Sequence, residues 1–321
     1  MSIFRENWVV SGLIVNWTSE KNEKFQKELM TFEHRLAETG LFTDEALIDM
    51  LDKHPSNCLD VCTISNEEHP KYPNRMMTGD FRDASSKEIL EAAKAGNIWV
   101  NVREGMNRHP DYKKVLDEMY SELSELSGRK MSKVRGGILL SSPVAKVPYH
   151  FDKTETLLWH VRGKKSLFLY PMTEEFIPDE AHEAVLTNYL EEDLPYDKRF
   201  EEHVQRVDLK EGEAAAWKLN SPHRVANETF CVSVTTEYST RESGIKNSVM
   251  ITNSILRNKL GLSPEYAKET MISKHVKFVF GRVIKKSGLL ADTAPPDMVS
   301  FKIDASAPDY LVDVPPFERN F

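Results

Sequence analysis

Three residues in this chain have the types and spacing to hold a metal: His150, Asp152 and His223. Two imidazoles and one carboxylate on one face of an octahedron bind iron(II) and leave three positions open for cosubstrate and oxygen. In His150-Phe151-Asp152 a single residue separates two of the ligands. Residues i and i+2 of a β-strand project to the same side, so a strand here presents an imidazole and a carboxylate together. The third ligand has to arrive from a distant strand. His223 is placed for that, just before an apolar run that ends at Tyr238.

The tripeptide alone is a weak signal, because the chain holds 10 histidines and a second match, His109-Pro110-Asp111. That match reads as a helix start. Proline suits the first turn and Asp111 complements the helix dipole, and a helix start does not put i and i+2 on one face.

The elements around the first match are β-like. Short apolar runs appear at 137–140, 147–151, 156–161, 166–170, 204–209, 214–219 and 230–238, separated by Gly and Pro. Such a succession predicts a barrel or jelly roll. Residues 174–202 are acidic and polar, with Pro178 and Pro195, and are expected to form a partly helical insertion near the barrel mouth.

The flanks differ. Residues 1–130 read as a mixed helical region. Phe25, Leu29, Phe32 and Leu36 have helical spacing within 19–38, Thr43 and Ser85 cap two further helices, and 111–126 forms a longer one. Strands are expected at 59–64 and 98–102. Residues 241–321 turn helical again, one helix running through Val249 to Leu260 and another from Ser263-Pro264-Glu265 to about Ile284. An extended, proline-rich tail follows Ala294. The division expected is thus 1–130, a barrel over 131–240, and 241–321.

The barrel region resembles the JmjC and cupin-like hydroxylases that use iron(II) and 2-oxoglutarate. The likeness rests on Pro148-Tyr149-His150-Phe151-Asp152, the apolar run to Val161, the turn Gly163-Lys164-Lys165 and the run to Tyr170-Pro171. It continues in Gly212-Glu213, then 214–219 and Pro222-His223. It covers about residues 134–240. The resemblance implies a mainly β, α+β protein: a double-stranded β-helix (jelly-roll) core with an N-terminal α/β extension and C-terminal helices. It implies an oxidoreductase, a dioxygenase that binds iron through His150, Asp152 and His223. It implies 2-oxoglutarate and O2 as cosubstrates, with Lys165 pairing with the far carboxylate and Thr156 supporting the same ligand. Val147 departs from the pattern, because relatives often place a cosubstrate-binding threonine there. The substrate implied is a protein side chain or a small molecule, and some relatives form homodimers through C-terminal helices.

Other residues have two readings. Asn101 and Arg103 alternate along an apolar strand and could face a substrate pocket, but Arg103 suits a surface ion pair equally. His160 could line the pocket or be a structural histidine. Trp159 and Trp217 could stack on a substrate or fill the core. Ser141 and Ser142 are candidates to lie near the cosubstrate.

Composition sets the outer bounds. The chain has 321 residues, is 40% hydrophobic and 29% charged, and carries net charge −8. An acidic surface disfavours nucleic-acid partners. No apolar stretch approaches the roughly 20 residues of a membrane span. The 3 cysteines suggest a reducing compartment, and a cytoplasmic protein without a secretory leader is expected. Two alternatives to the oxygenase are a metal-dependent cupin enzyme that does not use 2-oxoglutarate, and a non-enzymatic cupin-fold sensor.

Overall fold

The computed structural model describes residues 12–64, 76–188, 194–287 and 297–321. It begins with β1 (Ile14–Val15), α1 (Ser19–Lys24) and β2 (Met30–His34). The helix expected over 19–38 is therefore cut short. Gln26 turns to φ +63, and the chain re-enters as a strand. The apolar spacing suits a helix, but Met30, Phe32 and His34 also alternate, and all three are buried on one face. Pairing with a barrel strand decides between the two periods.

The next elements are α2 (Asp44–Asp52), β3 (Leu59–Ile64), β4 (Met76–Asp80), α3 (Ser86–Ala95), β5 (Trp99–Val102), α4 (Gly105–Arg108) and α5 (Pro110–Ser127). The caps act as expected. Thr43 accepts from the Ala46 amide, and Ser85 forms a reciprocal capping box with Glu88.

Eight strands then build the barrel: β6 (Ser132–Ser141), β7 (Lys146–His150), β8 (Glu155–Arg162), β9 (Lys165–Leu169), β10 (Gln205–Leu209), β11 (Glu213–Ala216), β12 (His223–Asn227) and β13 (Cys231–Ser239). α6 (Asp179–Asn188) lies between β9 and β10, the helical part of the expected insertion. β11, β8, β13 and β6 are adjacent in one antiparallel sheet, and β10, β9, β12 and β7 form the other. This alternation of strands between two facing four-stranded layers is the double-stranded β-helix. The separate strand β12 escaped sequence analysis, because His-Arg-Val-Ala-Asn has one apolar position strong enough to mark it.

Strands such as β8 and β13 bury side chains on both faces, while β10 leaves its outward Arg206 and Asp208 exposed. Leu139, Val147, Leu158, Leu167, Leu209, Ala215 and Val225 meet between the sheets. Leu157, Trp159, Val161, Val232 and Val234 face the other way, into a larger core with β2, α2, α3 and α5. Tyr149, Phe151 and Tyr170 face outward from the smaller sheet, against α6 and the following helix, α7 (Arg241–Leu260).

The large sheet extends beyond the barrel through β5, β3 and β4 to β14 (Met298–Ile303) and β15 (Leu311–Glu318). The tail expected to be merely extended is thus a hairpin, with β14 parallel to β4. Pro315 and Pro316 sit in the edge strand β15 at the register shift in its pairing with β14, where proline is tolerated. Pro295 and Pro296 lie outside the described residues. The last helix, α8 (Met271–Ser287), starts later than Glu265. The preceding segment is held instead by Arg257, which donates to the Pro264 carbonyl, and by Asp179, which accepts from the Tyr266 amide. Gly281 lets α8 seat closely on α7, since a Cβ there would lie 2.4 Å from the Ser248 carbonyl oxygen. Among the described residues no helix is long and apolar enough to cross a membrane.

Candidate metal centre

His150 ends β7 and His223 opens β12, and the two are direct cross-strand partners. Getting His150 to the interior takes a β-bulge. Val225 pairs with Val147, so β7 spends one residue more than β12 over the same distance. Without the bulge Val147 and His150 would fall on opposite faces. With it both point inward, a re-aiming typical of bulges beside functional sites. Pro148, which cannot donate to a ladder, occupies the bulge on this outermost strand of its sheet. Asp152 lies just past the strand end, with Phe151 between the two ligands turned outward and fully buried.

The three side chains converge. One potential ligand atom from each lies within 4.8 Å of the others. His223 Nε2 is 3.5 Å from one Asp152 oxygen and His150 Nε2 is 4.0 Å from the other. Each histidine's second nitrogen is tied to backbone: His150 Nδ1 is 2.8 Å from the Pro148 carbonyl oxygen and His223 Nδ1 is 3.0 Å from that of Ser221. A carbonyl only accepts, so each Nδ1 carries the proton and each Nε2 presents a lone pair.

Electrostatics agree with that tautomer. Burial and the nearby His150 hold His223 far below the usual histidine range, so it stays neutral at pH 7. Burial pushes the Asp152 carboxyl up, opposed by His150 and the Thr156 hydroxyl. Asp152 Oδ2 is buried and accepts no hydrogen bond. The Nε2 atoms of the two rings and an unpartnered carboxylate oxygen thus face one another, an arrangement that a cation relieves. Asn220, in left-handed conformation, donates to the Asp152 carbonyl at 2.9 Å and fixes the loop. Trp217 packs on His223 with ring centroids 4.9 Å apart. Asn220 was not among the residues the sequence singled out; Trp217, read as either a stacking or a core residue, is buried in the core and also packs on His223.

Lys165 opens β9 and points inward with Leu167 and Leu169, while Lys164 stands in the turn before it. It is 3% exposed. Burial lowers its ammonium to about 8, and among the described residues no acid pairs with it. Leu169 is the partner of His223, so Lys165 starts four residues, about 13 Å, along the interior from the metal ligand. Thr156 is buried on the inward face of β8, beside Asp152, at the metal end.

The remaining candidates separate cleanly. His160 faces inward toward the Lys165 end, but both nitrogens are engaged, with Ser233 Oγ at 3.1 Å and the Gly163 carbonyl oxygen at 2.8 Å. Burial keeps it neutral, near 4. Trp159 is on the opposite face of β8. It donates to Thr236 Oγ1 and meets Phe32 edge-on in the outer core, so it is no part of a pocket between the sheets. Arg103 pairs with Asp60 at 2.9 Å and donates to the Asn57 carbonyl, the surface ion pair. Asn101 pairs with Leu139 of β6, on the inward-turned face but one strand outside the barrel. Ser142 is spent holding the Ile98 amide, and Ser141 is buried on β6 opposite Cys231. His109, the decoy, contacts His54 Nδ1 at 3.0 Å, where α5 begins.

A double-stranded β-helix here carries two histidines and a carboxylate together at one end of its interior, where the three side chains could hold a metal ion. No protein-family model matches the chain, and no curated protein matches it by sequence. Solved structures of YcfD, a ribosomal oxygenase from Escherichia coli, are similar to it. The one in complex with cobalt and 2-oxoglutarate is 12% identical over 90% of this chain and 74% of that one, with TM-score 0.49. The one with cobalt and succinic acid gives 12%, 90%, 74% and 0.47. An X-ray structure of the E. coli protein gives 14%, 87%, 70% and 0.48.

Proposed function

We propose that the protein is an iron(II)- and 2-oxoglutarate-dependent oxygenase that hydroxylates a protein side chain or a small molecule. One observation carries the reading: three ligand atoms converge at one end of the barrel interior, whose other end holds a buried ammonium with no counter-ion among the described residues. An extended lysine reaches about 6 Å and a five-carbon keto-diacid spans about as much, so together they bridge the distance. His150, Asp152 and His223 hold the metal, and Lys165 neutralises the far carboxylate. Thr156 steadies Asp152, and Leu158, Leu167 and Val225 keep water out. Bound iron supplies the redox chemistry, coupling oxidation of the substrate by O2 to decarboxylation of 2-oxoglutarate to succinate. Residues 131–240 are the catalytic unit in this reading and the flanking regions its support. The free cysteines suit a cytoplasmic setting.

The test is succinate release that requires both iron and 2-oxoglutarate. Persistent turnover in a folded His150→Ala protein would overturn the ligand assignment. Failure of the metal-loaded protein to bind 2-oxoglutarate would leave a metal-dependent cupin enzyme of another kind.

The same reading includes self-association through α8. Ile272, Val276, Val279 and Val283 are each more than half exposed. They recur at steps of four, three and four, the seam of a coiled coil, on the side of α8 turned from α7. A second copy offering the same seam is the simplest partner, because a twofold axis makes one patch serve both sides.

A further inference from the structure

Asn227 is the last residue of β12 and the direct cross-strand partner of Lys165. Side chains so paired share a face, with Cβ atoms about 5 Å apart, and that face is inward, as Val225 and Leu167 show. Asn227 is 8% exposed. Its amide nitrogen donates to the Ala145 carbonyl at 2.7 Å, which fixes the orientation of the carboxamide. The oxygen, Oδ1, is buried and has no hydrogen-bond partner. An uncharged acceptor is thus left unsatisfied beside a buried donor left without an anion, a costly pair of vacancies in an interior.

We propose that Asn227 is the positioning residue for Lys165, its Oδ1 accepting one ammonium proton so that the other two are aimed at the distal carboxylate of the cosubstrate. The residue type matters. Aspartate in this place would itself neutralise the lysine and repel a carboxylate. Alanine would leave the ammonium free to turn. Asparagine directs the charge without cancelling it. The inference rests on the oxygenase reading, in which Lys165 meets a carboxylate.

The experiment measures 2-oxoglutarate binding calorimetrically to the manganese-loaded, redox-inert protein and three variants, with thermal melts of each apoprotein. Lys165→Ala reports on the underlying reading, and binding unchanged in that variant would overturn it. With Lys165 established, Asn227→Ala is expected to weaken binding about 3- to 10-fold and Asn227→Asp by more than about 30-fold. Both variants lose the bond to Ala145, so a merely structural role predicts equal losses. Equal losses, or none, overturn the proposal and leave the oxygenase reading standing. Should the aspartate variant not fold, a crystal structure of the wild-type protein with manganese and 2-oxoglutarate decides. Oδ1 in hydrogen-bond contact with Lys165 Nζ supports the proposal, and Oδ1 bonded elsewhere overturns it.

Discussion

His150 faces His223 at the end of the β7–β12 ladder with ring centroids 4.3 Å apart, although the next pair along it, Val147 with Val225, is out of step with them by one residue. Both rings are locked by backbone carbonyls before any metal arrives, and Asp152 is desolvated beside them. Removing a ligand should therefore cost metal affinity and spare the fold. His223→Ala and Asp152→Ala are expected to weaken binding of manganese(II) at least about 100-fold, since even outer partners of metal ligands are worth 10- to 100-fold. Metal should raise the melting temperature of the wild type and not of the variants. In Asp152→Asn the apoprotein should melt no lower than wild type, because a buried charge with no hydrogen bond to Oδ2 is gone. Calorimetric titration and thermal melts check both halves.

Lys165 gives the site a pH dependence of defined sign. Burial brings its folded value down to about 8, against about 10.4 in an unfolded chain. Between those values the unfolded state binds more protons, so the apoprotein gains stability as pH rises through the window. Cosubstrate binding runs the other way, because only the charged lysine attracts a carboxylate. Affinity for 2-oxoglutarate at saturating metal should be flat below about pH 8 and fall above it, approaching tenfold per unit. Lys165→Met should bind weakly at every pH. A flat wild-type profile from pH 7 to 9.5 would count against Lys165 as the carboxylate's partner.

The cluster of His150 and Asp152 and the barrel were legible in the sequence because both rest on local patterns. Alternation along a strand delivers His150 and Asp152, and Gly-bounded apolar runs mark seven of the eight barrel strands. What was hidden depends on pairing between distant segments. β2 looked helical at 19–38 until its pairing with β11 imposed period two. The bulge at Pro148 exists only relative to β12. The C-terminal tail became β14 and β15 because β4 offered an edge. Asn227 carries no signal at all in a sequence, since its role follows from the register that sets it opposite Lys165.

Trp159 separates core from pocket. Its indole is fully buried on the outer face of β8, bonded to Thr236 at 2.8 Å and packed edge-on against Phe32. Trp159→Phe should destabilise the protein by about 1–3 kcal/mol through the lost bond and the void it leaves. The KM for 2-oxoglutarate should not change. Trp217→Phe, which alters the ring against His223, should change cosubstrate or metal binding at a smaller cost in stability. Urea denaturation and steady-state kinetics on the two variants distinguish the roles. A shifted KM in the Trp159 variant would place that ring in the site after all.

The exposed seam of α8 makes the last prediction. Four β-branched side chains lie open to water on a helix whose other face is already seated on α7 through Gly281 and Ile284. An apolar stripe of that kind is costly to leave uncovered. The adjacent residues His275, Arg282 and Lys286 are basic, so two copies should meet with the helices antiparallel and offset, the charged edges turned to solvent. Light scattering should give a dimer for the wild type, and a monomer for Val276→Glu combined with Val279→Glu. Raising salt should tighten the wild-type dimer, because it screens the like charges flanking the seam. A wild-type protein monomeric at tens of micromolar, or a double variant that stays dimeric, would refute self-association through this face. Neither outcome would touch the candidate metal site, whose three residues all lie within one barrel.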